Sequence, residues 1–198
     1  MKRFGLNFTV VDTRNLDEVS AAINSNVKAI YLETPTNPLL EISDLAAIAE
    51  IAQKHDVLMI VDNTFASPYN QKPLDLGADI VVHSGTKYLG GHSDLVAGIA
   101  VAKNEKIAEQ LAFLQNSIGA VLSPDDSWLL MRGIKTLGAR MRVHEDNAQA
   151  VVKYLLDSKY VKKVMYPGLE TNPSFSIAKK QMKGFGAMIS FELADQYR

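Results

Sequence analysis

Residues 57–88 read VLMIVDNTFASPYNQKPLDLGADIVVHSGTKY, and their pattern is the strongest indication of the fold class. Its two apolar runs, residues 57–61 and 80–82, lack polar alternation, and each is followed at once by polar residues. Runs of this kind are typical of strands that are covered on both faces, as in a parallel sheet. Because ligands bind beyond the carboxyl ends of such strands, the residues after each run are the first candidates for a functional site.

The segments on the amino-terminal side alternate between strand-like and helix-like patterns. A short strand is predicted over residues 8–11, a helix over about 16–24 and a second strand over 28–32. The loop 33–38 contains two prolines, which exclude a helix through it. We expect Ser43 to cap the next helix, whose apolar stripe at i, i+3, i+4 and i+7 consists of Leu45, Ile48, Ala49 and Ala52.

The segments on the carboxyl-terminal side are mainly helical. Residues 123–126 (SPDD) form a strong helix start, because they combine a capping serine, a proline in the first turn and acids at the positive end of the helix dipole. Residues 126–157 are predicted to be largely helical, with a break near Gly133 or Gly138. The other predicted elements are an apolar strand over 95–102, interrupted by Gly98, and a strand, helix and strand over 161–165, 174–182 and 188–193.

This alternation predicts an α/β domain. Residues 6–102 should form a mostly parallel sheet with helices on both faces. The strand, helix and strand after residue 158 suggest the start of a small α+β domain, which gives a partial large domain over 1–157 and an incomplete small domain over 158–198. A two-stranded remnant rarely makes a core of its own.

Composition excludes several function classes. The formal charge of −1 over 198 residues offers no electrostatic surface for nucleic acid or membrane, and no run of 18 apolar residues is present. The sequence has no cysteine, which excludes disulfides and thiolate chemistry, and its four histidines have no zinc-like spacing. No secretory signal is apparent at the amino terminus, so we expect a cytoplasmic protein that binds small molecules.

Polar residues follow three predicted strands. If these strands are parallel neighbours, their carboxyl ends meet at one edge of the sheet and bring the polar groups together. A single strand-end aspartate is more often a turn or cap residue, but three such positions indicate a site. The candidate side chains are those of Glu33 and Asn37 after the first strand, Asp62 and Thr64 after the second, and Ser84, Thr86 and Lys87 after the third.

An acid, a lysine and two hydroxyls are the groups that pyridoxal phosphate requires. Its ring nitrogen must stay protonated beside a carboxylate, which Asp62 can provide. Its aldehyde needs a primary amine, for which Lys87 is the candidate. Its phosphate needs hydroxyl and N–H donors such as those of residues 84–86, and Asn37 could donate to the ring hydroxyl oxygen.

Several motifs closely resemble those of the Cys/Met-metabolism (transsulfuration) pyridoxal-phosphate enzymes, the family of the cystathionine lyases, cystathionine γ-synthase and methionine γ-lyase. The principal ones are ETPTNP at 33–38, VDNTF at 61–65 and HSGTKY at 83–88. Others follow in the family's order: GAD at 77–79, GHSD at 91–94, WLLMRG at 128–133, KTL at 135–137 and YPGL at 166–169. The resemblance covers nearly the whole chain, and the set of motifs together is specific.

The resemblance implies a fold, a chemistry and a set of roles. The fold is the large domain of the aspartate-aminotransferase type (fold type I), and the activity is that of a lyase or transferase cleaving or replacing C–S bonds in sulfur amino acids. Homodimers or homotetramers are implied. The implied roles are Schiff-base lysine for Lys87, pyridinium partner for Asp62, phosphate hydroxyls for Ser84 and Thr86, ring-hydroxyl contact for Asn37, ring-face contact for Thr64, and an acid near substrate for Glu33.

The family pattern extends beyond this sequence on both sides. An upstream arm, a glycine-rich phosphate turn and a ring-stacking tyrosine have no counterpart here, nor has a downstream arginine for the substrate carboxylate. Arg132, Arg140 and Arg142 are interpreted as structural or surface charges. We therefore expect a chain truncated at both ends.

Two other interpretations remain open at this point. The first is a non-catalytic fragment that keeps the fold and the oligomer contacts. The second is a phosphatase-like site in which Asp62 accepts a phosphoryl group, with Thr64 and Lys87 as partners. Such a site normally needs a metal and a second acid, which Asn63 and Phe65 do not provide.

Overall fold

The computed structural model describes residues 2–197, with seven α-helices and six β-strands among them. The strands are β1 (Ala29–Glu33), β2 (Leu58–Asp62), β3 (Ile80–Ser84), β4 (Gly98–Ala102), β5 (Val161–Met165) and β6 (Ser190–Leu193). The helices are α1 (Leu16–Ala22), α2 (Leu45–Lys54), α3 (Ser67–Asn70), α4 (Glu105–Ile118), α5 (Pro124–Lys135), α6 (Leu137–Leu156) and α7 (Phe175–Gln181).

The main sheet has the order β1-β2-β3-β4. Strands β1, β2 and β3 are parallel, and β4 runs antiparallel to β3, so the predicted mostly parallel sheet is confirmed. Glu33 on β1 pairs with Asp62 on β2. Asp62 in turn pairs with Val82 on β3, and Ser84, the last residue of β3, lies two residues further along. The three strand ends therefore lie at the same edge of the sheet, as the apolar runs indicated.

The main core lies on one face of this sheet. Met59 and Val61 of β2 pack there against α2, and all four residues of its predicted apolar stripe are buried. On the opposite face Tyr31 and Leu58 are 60% and 40% exposed, so that face is open at β1 and β2. The expectation of helices on both faces is therefore wrong for these two strands within residues 2–197.

Two local predictions near the amino terminus are wrong. Residues 8–11 do not form a strand, and Val10 is 93% exposed. An apolar pattern of four residues cannot specify the neighbour that a strand needs for its backbone hydrogen bonds. Helix α2 is capped by Asp44 and not by Ser43, because the Asp44 carboxylate accepts from Ala47 N at 3.1 Å.

The predicted helix start at 123–126 is confirmed, since Ser123 Oγ accepts from Asp126 N at 3.1 Å. The break predicted in the following helical region is also present, but it falls at Thr136. There the hydroxyl of Thr136 donates to Gly133 O at 3.1 Å and ends α5. Both glycines lie inside helices, Gly133 in α5 and Gly138 in α6, so neither of them is the point at which the helical region breaks.

Residues 158–197 form a two-stranded antiparallel sheet, β5-β6, together with α7. Tyr166 packs against Ala148 and Val152 of α6, and Ala178 of α7 packs against Ile42 and Ala66. None of the helices in the described part of the chain is long and apolar enough to cross a membrane.

A buried network of amide side chains joins α7 to the edge of the main sheet. Gln181 Nε2 donates to Ser43 O at 3.0 Å and to Gln71 Oε1 at 2.9 Å. Gln71 Nε2 in turn donates to Thr34 O at 3.0 Å and to Asn63 Oδ1 at 2.8 Å. The loops after β1 and β2 are therefore tied together and to the last helix.

Candidate active site

The carboxylate of Asp62 is held at the end of β2 by the residue two positions later. Its Oδ1 accepts from Thr64 N at 3.0 Å and from Thr64 Oγ1 at 2.6 Å. Among residues 2–197 its Oδ2 meets only the hydroxyl of Tyr31, at 3.4 Å, which is too long for a strong O–H···O bond. One oxygen is thus fixed, and the other keeps the capacity to accept a hydrogen bond.

The hydroxyl of Thr64 links two strand ends. While it donates to Asp62, it accepts from Ser84 N at 2.8 Å. Carboxylate, hydroxyl and backbone amide thus form a relay across β2 and β3, and Thr64 itself is buried. This relay fixes the carboxylate of Asp62 relative to the start of the segment that carries Lys87.

Lys87 lies in a tight turn, Gly85–Leu89, directly after β3. The turn is closed by Gly90 N donating to Gly85 O at 2.8 Å and by Gly91 N donating to Lys87 O at 2.8 Å. The backbone of Lys87 is non-helical within it, and the residue is exposed. Position 85 is closely packed, because an added Cβ would lie 3.0 Å from Ala97 Cβ and 3.3 Å from Leu130 Cδ1, and these neighbours would have to shift by a few tenths of an ångström.

The two hydroxyls beside Lys87 have free donor capacity. Thr86 Oγ1 accepts from Ala97 N at 3.0 Å, while its own contact to Ala97 O is a long 3.4 Å. The hydroxyl of Ser84 makes no hydrogen bond to the rest of residues 2–197. Ser84 can therefore donate to an anionic oxygen without losing a protein partner, and Thr86 can do so by giving up only its long contact to Ala97 O.

Glu33 lies next to Asp62 on the neighbouring strand. Burial raises the pKa of Glu33, and the Asp62 carboxylate raises it as well, while the N–H of Asn37 lowers it by less than burial raises it. That N–H lies 3.4 Å from Glu33 Oε2. Glu33 therefore carries a carboxyl group at the same strand edge as Asp62, with a pKa above its ordinary value.

A cavity of about 1070 Å³ opens beside this edge. Asn37, Thr86 and Lys87 line it together, as do Phe65 and Arg140. The strand-end residues Glu33, Asp62, Thr64 and Ser84 are not part of its lining. The structure therefore brings the seven predicted residues to one sheet edge, and three of them to the cavity wall.

Sequence reasoning missed two residues around Asp62. The first is Tyr31, which lies two positions before Glu33 and therefore on the same face of β1. The second is His83, whose buried Nδ1 has no hydrogen-bond partner within residues 2–197. Burial lowers the pKa of His83, and the Asp62 carboxylate raises it. Strand alternation could have identified Tyr31, but nothing in the sequence distinguishes His83 from a surface histidine.

The donor set fits pyridoxal phosphate. Asp62 offers a free carboxylate oxygen, Lys87 an exposed amine and residues 84 and 86 two free hydroxyl donors, all at one edge. Within the described part of the chain no group of three or more His, Asp or Glu side chains is arranged to hold a metal ion.

Helix α5 supports the lysine turn from behind through Gly133. A Cβ added there would lie 2.2 Å from Gly90 O and 2.5 Å from Leu89 O, whereas one added at Gly138 would meet Tyr69 at 3.5 Å. Replacing Gly133 by Ala should therefore destabilise the protein by about 1–3 kcal/mol through overpacking. The matched change Gly138→Ala should be neutral or stabilise by up to about 1 kcal/mol. Urea unfolding measures both, and equal stabilities of the two variants would contradict the packing argument.

Comparison with known proteins agrees with this geometry. The family described as Cys/Met metabolism PLP-dependent enzyme matches residues 1–198. A cystathionine beta-lyase of Lactococcus lactis subsp. cremoris is 56% identical over 99% of this chain and 52% of its own. A cystathionine gamma-lyase of Bacillus subtilis is 54% identical over 100% of this chain and 52% of its own. The chain thus spans about half the length of these curated relatives.

The solved structures agree with the sequence comparison. The cystathionine gamma-lyase of Lactobacillus plantarum, complexed with L-serine, superposes with a TM-score of 0.97 at 60% identity, over 98% of this chain and 51% of that one. The predicted fold type I architecture is therefore confirmed. Because the family match extends over every residue, this chain belongs to the Cys/Met-metabolism PLP-dependent enzymes.

Proposed function

We propose that this chain supplies the cofactor-holding part of a pyridoxal-phosphate-dependent lyase or transferase that cleaves or exchanges C–S bonds in sulfur amino acids of the cystathionine type. The observation that carries the proposal is the relay from Asp62 through Thr64 to Ser84, which fixes a carboxylate next to the turn of Lys87. Relatives over 50% identical carry cystathionine-lyase names, which supports the same substrate class.

The cofactor, when bound, supplies an electron sink that stabilises negative charge on the substrate α-carbon. The carboxylate of Asp62, kept oriented by Thr64, would hold the proton on the ring nitrogen. The hydroxyls of Ser84 and Thr86 would donate to the phosphate. Asn37 would contact the ring hydroxyl, and Thr64 would lie against the ring face.

Lys87 would hold the cofactor through Nζ and would also move protons. Its amine would take the proton from the substrate α-carbon and give it to the departing sulfur group. Burial raises the pKa of Glu33, which lies beside Asp62 on the neighbouring strand and would be an acid near the substrate. The positions of these side chains at one sheet edge support the proposed roles.

The same proposal extends to domains, assembly and location. Residues 1–157 would be part of a large cofactor-binding domain, and 158–198 the beginning of a small one. Apolar side chains of α5, among them Trp128 at 53% exposure, favour association into a homodimer or homotetramer. Light scattering that gives a monomer at every concentration would contradict the proposed oligomer. We expect the assembly to act in the cytoplasm.

Cofactor absorbance followed by a product assay with cystathionine tests the proposed function. Release of homocysteine or of cysteine reports on which side of the sulfur the bond breaks. A protein that binds the cofactor but releases neither thiol, and exchanges no γ-substituent, would instead be the non-catalytic fragment. Failure to bind the cofactor at all would contradict the proposal itself.

The two hydroxyls should differ in their effects. Ser84→Ala should weaken cofactor binding by about 1–3 kcal/mol, roughly 5- to 150-fold in Kd, and leave the melting temperature unchanged. Thr86→Val should weaken binding similarly and also lower stability, because it leaves Ala97 N without its partner. Titration with pyridoxal phosphate and thermal unfolding measure both effects. The exposed Ser176→Ala is the control, and a Ser84 variant that binds like it would contradict the assignment.

A further inference from the structure

The turn that carries Lys87 is held from behind by one arginine of α6. Arg140 Nη1 donates to Tyr88 O at 2.7 Å, one residue beyond Lys87. Nη2 donates to Gly133 O at 2.7 Å, and Nε donates to Thr136 Oγ1 at 3.0 Å. The guanidinium thus connects the lysine turn to the end of α5 and the start of α6.

The space around this guanidinium is closely fitted. A Cβ added at Gly91, two residues after the turn, would lie 2.3 Å from Arg140 Cζ. Burial lowers the pKa of Arg140, and among residues 2–197 no carboxylate forms an ion pair with it. The interpretation of Arg140 as a structural charge agrees with these contacts, one of which is to the lysine turn. A partly buried cation that is satisfied by carbonyl and hydroxyl oxygens alone fixes the positions of those oxygens.

We propose that Arg140 is a positioning residue that fixes the segment 85–91 and, through it, the place of Lys87 in the cavity that both residues line. The inference rests on the proposed role of Lys87. Arginine suits this position because its planar fork reaches three acceptors in different directions, which a lysine ammonium on a flexible stem does not. A displacement of about 1 Å at a reacting group can cost on the order of 10²-fold in rate.

The experiment compares Arg140→Met and Arg140→Lys with the same two changes at Arg142. Arg142 lies two residues later on the same helix and is exposed. Hydrogen exchange of the peptide containing residues 85–91 is measured first, in the protein without cofactor. We expect exchange there to accelerate about tenfold or more in Arg140→Met, less in Arg140→Lys and not at all in the Arg142 variants.

Steady-state kinetics of the loaded protein add a second measurement. We expect kcat to fall about 10- to 100-fold in Arg140→Met with KM changed by less than about threefold, because the variant displaces Lys87 and leaves substrate contacts in place. Arg140→Lys should recover part of kcat.

Two results would overturn the inference. One is exchange at 85–91 equal to that of the Arg142 variants. The other is acceleration spread evenly over the chain, which would indicate general destabilisation. If Arg140→Met does not fold, the exchange of Arg140→Lys decides between these outcomes. Because hydrogen exchange is measured without cofactor, the role of Arg140 can be contradicted while the proposed activity is confirmed. Equally, the activity can be contradicted while the exchange result holds.

Discussion

Replacing Lys87 by Ala is expected to abolish covalent attachment of pyridoxal phosphate and to lower turnover by at least about 10²–10⁴-fold, the contribution of a positioned proton-transfer group. The reason is local. Lys87 is an exposed lysine at a strand-end turn, between two free hydroxyl donors and the cavity. Borohydride reduction followed by peptide mapping should locate the cofactor on Lys87 in the parent protein and find no adduct in the variant.

The control for this experiment is Lys54→Ala, since Lys54 lies in the last turn of α2 and is exposed. That variant should keep absorbance, adduct and turnover. An adduct that maps to a different lysine in the parent protein would overturn the assignment of Lys87 and the roles proposed for the residues around it.

Asp62→Asn is expected to separate cofactor attachment from catalysis. The amide oxygen can still accept from Thr64, so the relay to Ser84 should survive and Lys87 should still be labelled. The negative charge beside the ring nitrogen is lost, and turnover should fall by about 10²–10³-fold, the usual cost of removing a preorganised electrostatic partner. Absorbance, adduct mapping and kcat on the same sample distinguish the two functions.

The exposed Asp75→Asn serves as the matched control and should leave kcat unchanged. An Asp62 variant that keeps full turnover would mean that another group protonates the ring nitrogen. Of the described residues, Glu33 would then be the first to examine, since it pairs in register with Asp62.

The strand-end site was predictable because neighbouring parallel strands end at the same edge of a sheet. Residues that follow each apolar run in the sequence therefore lie close together in the fold. An apolar run followed by polar residues was enough to place Asp62 and Ser84 together. Capping was less predictable, because Ser43 and Asp44 are adjacent residues of equal capping ability and only the path of the backbone decides between them.

The contact of Arg140 with the lysine turn could not be predicted, for a different reason. Arg140 and Arg142 are two residues apart on one helix and are indistinguishable by local pattern. Which of them meets the lysine turn depends on how α6 lies against it, and that is decided by contacts between residues far apart in sequence, such as Arg140 Nη1 with Tyr88 O. Residue spacing alone carries no such information.

The amide network has a consequence for the order in which the chain matures during synthesis. Asn63 and Gln71 are made early, but the Oε1 of Gln71 and the N–H of Leu45 receive their partners only from Gln181. Chains fold from the amino terminus as they emerge from the ribosome. The loops flanking Asp62 therefore lack the hydrogen bonds from Gln181 until α7 has been translated. A nascent chain stalled before residue 181 should therefore expose this edge to protease, and the finished chain should protect it.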